Sequence, residues 1–284
     1  MPELPEVETV RRGLQPHLEG ARLTSVRLNR PDLRFPFPER MEERLTGARI
    51  VSLARRAKFL VADTDRDERL VMHLGMSGRF TIIDPGAADL PDAPGQFVHA
   101  QPTLPQHDHV EFETEHGVRI VFNDPRRFGY MQMFKAGEDP FSEIGPEPLS
   151  NAFSGESLYE ALKGRRSPIK TALLDQHVVA GLGNIYVCEA LFRSGVSPRR
   201  LALNLGKARC DRLANEVRNV LEDAIRAGGS TLKDYAHADG GLGYFQHSFG
   251  VYGREGEACT QCQMPVQRTV QSGRSTYFCS NCQR

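Results

Sequence analysis

The sequence predicts an α+β protein with a β-sandwich in its first half, helices in its second half and a cysteine-rich hairpin at its end. Three observations support this prediction. Segments with strand character follow one another between residues 21 and 136, apolar residues recur at helical spacing after residue 150, and four of the six cysteines lie in the last 26 residues as two pairs. Strands that precede helices, rather than alternating with them, are typical of α+β folds.

Composition narrows the function classes. The chain has 284 residues, of which 39% are apolar, so it can bury a sizeable core and is not globally disordered. Its 36 basic residues balance its 36 acidic ones, so net charge favours neither nucleic acid nor membranes as a partner. No apolar run reaches the about 20 residues that cross a bilayer, and the first fifteen residues lack a signal-peptide core. We therefore expect a soluble, cytoplasmic protein.

The first half opens with one amphipathic helix from residue 6 to about 18, because Val7, Val10, Leu14 and Leu18 share a face at helical spacing. Strand-like segments then follow at 21–29, 48–63, 69–84, 109–115, 117–124 and 130–136. Uncharged residues (Val110, Phe112 and Thr114) alternate with glutamates within 110–115, which is typical of a half-buried antiparallel strand. Six such segments without intervening helices indicate a sandwich or a barrel-like pair of sheets.

The second half is helical and basic. Candidate helices cover 155–163, 169–175, 184–194 and 207–227. Residues 161–226 contain twelve basic and six acidic residues, whereas 81–120 contains seven acidic residues and one basic one. Residues 85–106 resemble a surface loop. We expect an N-terminal domain at 1–139, a proline-rich linker at 140–150, a helical domain at 151–249 and a terminal cysteine module at 250–284.

The four terminal cysteines have the spacing of a metal site. Cys259 and Cys262 form one C-x2-C pair, and Cys279 and Cys282 form another after sixteen intervening residues. Four thiolates in this pattern bind one Zn²⁺ tetrahedrally and leave no open position, so the ion would be structural. Two disulfides are the less favoured alternative. Between the pairs we expect two strands joined through Ser272 and Gly273.

The chain starts with Met1, Pro2 and Glu3. Removal of Met1 would expose a secondary amine on Pro2, and terminal amines titrate near about 7.7 to 8.0, so a useful fraction is neutral at physiological pH. A neutral amine can attack an electrophilic carbon and form an iminium. Glu3 and Glu6 are candidate acids or bases beside it, or they simply stabilise the helix dipole.

A glycine-rich turn, GLGN, occupies residues 181–184. We expect Asn184 to cap a helix that starts at Ile185, with the glycines giving an anion access to the first N–H groups of that helix. This arrangement predicts a phosphate contact.

Several segments together resemble the bacterial formamidopyrimidine-DNA glycosylases. They are PELPEVETVRRGL, RRAKFL, HLGMSG, NDPRRFG, GLGNIYVCEALF, GGSTLKD, GYFQHSFGVYGR and the two terminal cysteine pairs. The resemblance covers nearly the whole chain in order, except for the loop at 85–106. It implies a helix-two-turns-helix domain within the helical half and a zinc finger at the end.

The resemblance also implies a reaction. Pro2 would be the nucleophile that bonds to the sugar of a damaged nucleotide, and Glu3 would be the acid that assists opening of the sugar ring. Elimination would then cut the strand. Lys58, in RRAKFL, matches a lysine that contacts phosphate near the lesion and supports catalysis.

Further residues match positions that contact DNA in that family. Met76, Arg126 and Phe128 match the three side chains that fill the gap left by an extruded nucleotide, and Arg126 matches the residue that favours cytosine opposite the lesion. Lys170, Asn184 and Arg274 match phosphate- or lesion-contacting positions. Residues 235–248 resemble a mobile loop that covers the flipped base.

The implied partner is double-stranded DNA with oxidised purines, bound across a cleft between two domains by a monomer without a nucleotide cofactor or membrane contact. Two alternatives stay open. One is the related endonuclease VIII, which prefers oxidised pyrimidines. The other is a non-enzymatic zinc-ribbon protein that only binds nucleic acid.

Overall fold

The computed structural model describes residues 2–86, 104–230 and 244–284. The chain divides into two compact units. The first runs to Pro140 and includes the segment from Ala227 to Tyr244, and the second contains Phe141–Arg226 and Phe245–Arg284. Most of the loop predicted at 85–106 and of the covering loop predicted at 235–248 lies outside the described residues.

The first unit contains two four-stranded antiparallel sheets and the opening helix. Its elements are α1 (Leu4–Leu18), β1 (Leu23–Leu28), α2 (Met41–Leu45), β2 (Ile50–Arg56), β3 (Phe59–Thr64), β4 (Glu68–His73), β5 (Arg79–Ile83), β6 (Asp108–Thr114), β7 (Arg119–Asn123) and β8 (Tyr130–Lys135). One sheet has the strand order β1-β6-β7-β5, and the other has the order β2-β3-β4-β8. This confirms the predicted antiparallel sandwich.

Two of the predicted strand segments each fold as two strands. The chain between 48 and 63 reverses at Ala57 and Lys58, so that Arg56 of β2 pairs with Phe59 of β3. The segment at 69–84 breaks after His73, and its second half, β5, joins the other sheet beside β7. Gly75 explains part of this break, because its φ of 64° is one that side-chain-bearing residues rarely adopt.

An apolar core is formed by residues of both sheets and of α1. Val7, Val10 and Leu14 of α1 are buried in the same cluster as Leu60 of β3 and Phe122 of β7. The helical stripe predicted from the sequence is therefore the face that covers the core. The short helix α2 was not predicted, because five residues are too few to show a helical period.

The second unit contains four helices and a hairpin. The helices are α3 (Gly155–Leu162), α4 (Ile169–Leu174), α5 (Asn184–Arg193) and α6 (Lys207–Arg226), and they confirm the four predicted segments. The Ser154 hydroxyl caps α3 by accepting the Ser157 N–H at 3.1 Å. The buried face of α6 includes Cys210, Leu213 and Val217, as its period predicts.

The hairpin pairs β9 (Gln267–Gln271) with β10 (Arg274–Phe278). The two connecting residues, Ser272 and Gly273, both have positive φ angles, of 49° and 73°. Two positive φ angles are required by the tight hairpin turn whose twist matches that of its strands. The predicted strands and turn are thus confirmed, and the turn brings the two cysteine pairs toward each other.

Candidate functional site

The predicted nucleophile and acid lie immediately before the first turn of α1. Pro2 and Glu3 are both buried, and Glu3 is the residue that precedes the helix. The N–H of Glu3 donates to Oε2 of Glu6 at 2.9 Å, which satisfies a backbone group that the helix itself leaves unpaired. This hydrogen bond fixes the direction in which Pro2 and Glu3 enter the helix.

The carboxylate of Glu6 also reaches a distant segment of the same unit. Its Oε1 accepts hydrogen bonds from both the N–H and the hydroxyl of Ser230, each at 2.9 Å. Gly229, with a φ of 78°, lies against it, since a Cβ there would come within 3.2 Å of Oε1. Glu6 therefore joins the start of α1 to the chain that follows α6, a role that the sequence did not reveal.

Lys58 lies in the tight turn between β2 and β3, where Ala57 has a φ of 52°. Arg55 supports this turn, because its Nη1 donates to the carbonyl oxygen of Ala57 at 3.0 Å. The Nε of Arg55 donates to Oε2 of Glu8 on α1 at 3.3 Å. The turn that carries Lys58 is thus linked through two hydrogen bonds to α1, the helix that Glu3 precedes.

His73, at the end of β4, is a residue that sequence reasoning missed. Its ring stacks on Tyr130 with centroids 5.2 Å apart and planes 13° apart, and its Nδ1 accepts the Gly75 N–H at 2.9 Å. Burial, together with the charges of Lys58 and Arg34, lowers the pKa of His73 to about 4. The imidazole is therefore neutral at physiological pH. The available signal was its position in HLGMSG, three residues before Met76.

Met76, Arg126 and Phe128 lie on two adjoining loops of the first unit. Met76 is half-buried, whereas Arg126 and Phe128 are exposed. Phe128 keeps 43% of its surface accessible, and the Arg126 guanidinium lies 5.0 Å from the centre of its ring. An exposed aromatic ring under a guanidinium is not a core residue, and both groups are available to a ligand.

The four terminal cysteines form one cluster. All four sulfur atoms lie within 4.8 Å of one another, with Cys262 and Cys279 3.5 Å apart and Cys259 and Cys282 3.9 Å apart. Tetrahedral zinc with Zn–S bonds of about 2.3 Å places its sulfurs about 3.8 Å apart, which these distances match. Disulfides would need about 2.05 Å, so the alternative of two disulfides is wrong. The cluster binds one structural zinc ion.

Lys170 and Asn184 meet at the hairpin. The Lys170 ammonium donates to the Ser275 carbonyl at 3.0 Å and to Oγ1 of Thr276 at 2.7 Å. Nδ2 of Asn184 donates to the same Ser275 carbonyl at 2.9 Å. Lys170 is 0% exposed, whereas Arg274, the residue before Ser275, is exposed. Lys170 therefore holds α4 against β10, and a direct contact with DNA would require its ammonium to leave this position.

The prediction that Asn184 caps its helix is wrong. Gly183 is the residue that precedes α5, and Asn184 is the first helical residue. Its side-chain amide is directed to β10 rather than to the helix N–H groups. The sequence could not distinguish these roles, because the same amide can hydrogen-bond either partner.

Glu189, on α5, supports the segment that leads to the zinc module. Its carboxylate accepts three backbone N–H groups, from Gly250 at 2.8 Å, Val251 at 3.0 Å and Tyr252 at 2.8 Å. Sequence reasoning missed this residue. A signal existed, since Glu189 is the one charged residue in the largely apolar segment IYVCEALF, and a charge in a buried face requires partners.

Comparison with known proteins decides the family. The profile described as the formamidopyrimidine-DNA glycosylase N-terminal domain matches residues 1–131, the H2TH domain of the same enzymes matches 144–236, and the zinc finger found in FPG and IleRS matches 256–284. The formamidopyrimidine-DNA glycosylase of Ruegeria pomeroyi is 57% identical over 290 residues, with 100% of each chain covered. The chain belongs to the formamidopyrimidine-DNA glycosylase family. The formamidopyrimidine-DNA glycosylase of Jannaschia sp. is 54% identical to this chain, again with 100% of each chain covered.

Solved structures of formamidopyrimidine-DNA glycosylases have the same fold. The MutM (FPG) protein from Thermus thermophilus is 40% identical and superimposes with a TM-score of 0.83, covering 99% of this chain and 98% of its own. The complex between Lactococcus lactis Fpg and an abasic site containing DNA is 32% identical, with a TM-score of 0.84 and 100% coverage of both chains.

The family's profiles leave the individual site residues as predictions. The structure brings Pro2 and Glu3 together at α1, places Met76 beside the loop of Arg126 and Phe128, and gathers Lys170 and Asn184 at β10. In the part of the chain that the structure describes, no helix combines the length and the apolar character needed to span a membrane.

Proposed function

We propose that this chain is a bifunctional DNA glycosylase and AP lyase of base excision repair, which removes oxidised purines from duplex DNA and then cuts the strand. The enzyme class, formamidopyrimidine-DNA glycosylase, follows from its family. The observation that supports the lyase step is that Pro2 and the buried Glu3 lie side by side immediately before α1. We place the activity in the cytoplasm, on bacterial chromosomal DNA.

In the first step, the amine of Pro2, freed by removal of Met1, bonds to C1′ of the damaged nucleotide. The glycosidic bond breaks, and the base leaves with the proton that the Pro2 amine gives up. Glu3 donates a proton to O4′ as the sugar ring opens, which leaves an iminium between Pro2 and C1′. The hydrogen bond from the Glu3 N–H to Glu6 keeps the acid beside the amine.

The iminium then drives strand cleavage. It withdraws electrons from C2′, so a proton is lost there and the 3′ phosphate leaves. Loss of a second proton, from C4′, expels the 5′ phosphate. Water finally hydrolyses the iminium and releases Pro2. Each bond that breaks gives its electrons to the extending conjugated system or to a phosphate, so no oxidant or reductant is needed.

Duplex binding draws on both units. In the first unit we assign Lys58 to a phosphate near the lesion, and Met76, Arg126 and Phe128 to the gap left by the extruded nucleotide. An aromatic ring and a thioether replace lost stacking, while a guanidinium hydrogen-bonds the orphaned cytosine. The exposure of Phe128 and Arg126 supports this assignment.

In the second unit we assign Asn184 and Arg274 to phosphates, and for Asn184 this requires its amide to turn from the Ser275 carbonyl to the DNA. Arg274 is exposed at the start of β10, and the unit that holds it has a basic helical segment. Because phosphate contacts release bound counterions, we expect affinity to fall steeply with salt. We propose that one protein molecule acts alone on each lesion.

Borohydride trapping tests the proposal. Borohydride reduces an iminium to a stable amine, so duplex containing 8-oxoguanine opposite cytosine should become covalently attached to the protein, whereas undamaged duplex should not. Trypsin cleaves after Arg11, so mass spectrometry should find the adduct on peptide 2–11. An adduct on the peptide of Lys58 or Lys170, or none at all, would overturn the role of Pro2.

The same experiment ranks the alternatives. If the chain is a purine enzyme, the borohydride adduct should form more slowly with a duplex containing an oxidised pyrimidine than with the 8-oxoguanine duplex. If the chain acts like endonuclease VIII, the adduct should form faster with the oxidised pyrimidine. The curated relatives, which carry the name formamidopyrimidine-DNA glycosylase, favour the first outcome. The non-enzymatic alternative is set aside because the chain matches these enzymes over its full length.

A further inference from the structure

Asp124 is a carboxylate that is buried completely between two loops of the first unit. Its side chain is 0% exposed, at the point where β7 ends. Oδ1 accepts the hydroxyl of Ser77 at 2.5 Å, and Oδ2 accepts the N–H of Gly129 at 2.8 Å. The two oxygens therefore hold different loops, since Ser77 follows β4 and Gly129 precedes β8.

Ser77 completes a closed network. Its hydroxyl oxygen accepts the backbone N–H of Arg126 at 3.2 Å while its proton is donated to Asp124. The backbone of Asp124 is also fixed, because its carbonyl accepts Nε2 of His109 at 2.9 Å and its N–H donates to the carbonyl of His107 at 3.0 Å. A buried carboxylate with these partners is costly to disturb, because each lost partner leaves a polar group without water.

The two loops also touch through their backbones. A Cβ on Gly75 would lie 2.3 Å from the Gly129 nitrogen, so only glycine allows this approach. A Cβ on Gly129 would lie 2.9 Å from the carbonyl oxygen of His73 and 3.1 Å from Oδ2 of Asp124. Nothing larger than glycine fits on either side. The loops therefore form one packed body around Asp124.

Each of the three predicted gap-filling residues is adjacent to a member of this network. Met76 precedes Ser77, the Arg126 N–H is bound to Ser77, and Phe128 precedes Gly129. Their side chains project from backbone that is fixed before any ligand arrives. A side chain that is already held where it is needed loses less conformational entropy on binding.

We infer that Asp124 and Ser77 are positioning residues, which preorganise Met76, Arg126 and Phe128 to fill the duplex and to discriminate the base opposite the lesion. The inference rests on the proposed function, because that function gives the three side chains their task. Asp124 itself is buried and acts only through the loops that it joins.

Ser77→Ala is the primary test. It removes one hydroxyl without changing the backbone, and it deprives the Asp124 carboxylate and the Arg126 N–H of a hydrogen-bond partner. The matched control is Ser52→Ala, which removes a similar Ser–Asp hydrogen bond, 3.0 Å long, between β2 and β3. Asp124→Asn is a second variant of unchanged shape. Trapping rates are measured on duplexes with 8-oxoguanine opposite cytosine and opposite adenine, and on a single strand with an abasic site.

For Ser77→Ala we expect the trapping rate on the duplex with 8-oxoguanine opposite cytosine to fall about tenfold, because loosened loops misplace Arg126. The ratio of the trapping rates opposite cytosine and opposite adenine should move toward one. The single strand has no stack to fill and no orphaned base, so its trapping rate should stay at the wild-type value. Asp124→Asn should shift the cytosine-to-adenine rate ratio in the same direction. Ser52→Ala should change neither this ratio nor the trapping rate on the duplex.

The outcomes separate this inference from the proposed function. Absence of trapping by the wild-type protein would contradict the proposed function. Wild-type trapping combined with an unchanged ratio in both Ser77→Ala and Asp124→Asn would overturn the inference alone. A parallel loss on duplex and single strand would also overturn it, because it would mean that the network maintains the fold rather than the position of the three side chains.

Discussion

The carboxylate of Glu6 accepts both the backbone N–H and the hydroxyl of Ser230, although the two residues are 224 positions apart in the chain. The other oxygen of Glu6 accepts the N–H of Glu3. One buried side chain thus sets both the entry of the first helix and the start of the segment after α6. The candidate active site is held by a hydrogen-bond acceptor with three donors, rather than by packing alone.

We expect Glu6→Gln to destabilise the protein by about 1 to 3 kcal/mol, the usual result of leaving a buried group unpaired. The amide NH2 of glutamine is a donor, and it would face N–H donors where the carboxylate accepts them. Urea unfolding measures the effect. Glu39→Gln, at an exposed position, is the matched control. Equal stability of the two variants would contradict the role of Glu6.

Loss of the zinc site should weaken DNA binding. We expect Cys259→Ser to lower the zinc content from one ion per chain and to reduce affinity for lesion duplex, because the hairpin with Arg274 loses its support. Cys210→Ala, at a buried cysteine on α6 that is not one of the four, should keep its zinc. Native mass spectrometry and a binding titration measure the two quantities. Normal duplex binding by zinc-free Cys259→Ser would contradict the prediction.

The salt dependence of binding distinguishes Lys170 from Arg274. A residue that neutralises a phosphate contributes about 0.9 to the slope of log affinity against log salt concentration. We expect Arg274→Gln to lower the slope by about that amount. Lys170→Met should leave the slope unchanged and lower the thermal stability instead, because its ammonium bonds Ser275 and Thr276 in the interior. A reduced slope for Lys170→Met would show that Lys170 contacts phosphate after all.

Acid should destabilise the first unit through His73. Burial lowers the pKa of His73 to about 4, below its value of 6.5 in the unfolded chain. As pH falls from 6.5 toward 4, the unfolded chain binds a proton that the folded one does not, so stability is lost across that window. At pH 5 the loss reaches about 2 kcal/mol.

The test of this acid sensitivity compares urea unfolding at pH 7 and pH 5. His73→Gln cannot titrate in this range, so it should lose about 2 kcal/mol less stability than the wild type between the two pH values. An equal loss in both proteins would mean that other groups account for the acid sensitivity.

Much of the fold follows from local pattern. The period of two in residues 110–115, the helical stripe of α6 and the Ser272-Gly273 turn are each contained in a few consecutive residues, and each was predicted. The strand segments were harder, because a continuous apolar run does not show where it reverses. Ala57 takes a positive φ although it is not glycine, so the turn between β2 and β3 left no clear signal.

The sequence by itself determined the antiparallel sandwich, the four helices of the second unit, the zinc ligands and, through its motifs, the residues to test. Their spacing along the chain is enough, since strands, helices and metal knuckles are built from near neighbours. Only the tertiary structure decided which polar groups meet. Ser77 lies 47 residues from Asp124, and Thr276 lies 106 residues from Lys170. A buried hydrogen-bonding group takes whichever partner the folded chain brings to it, and local sequence does not encode that choice.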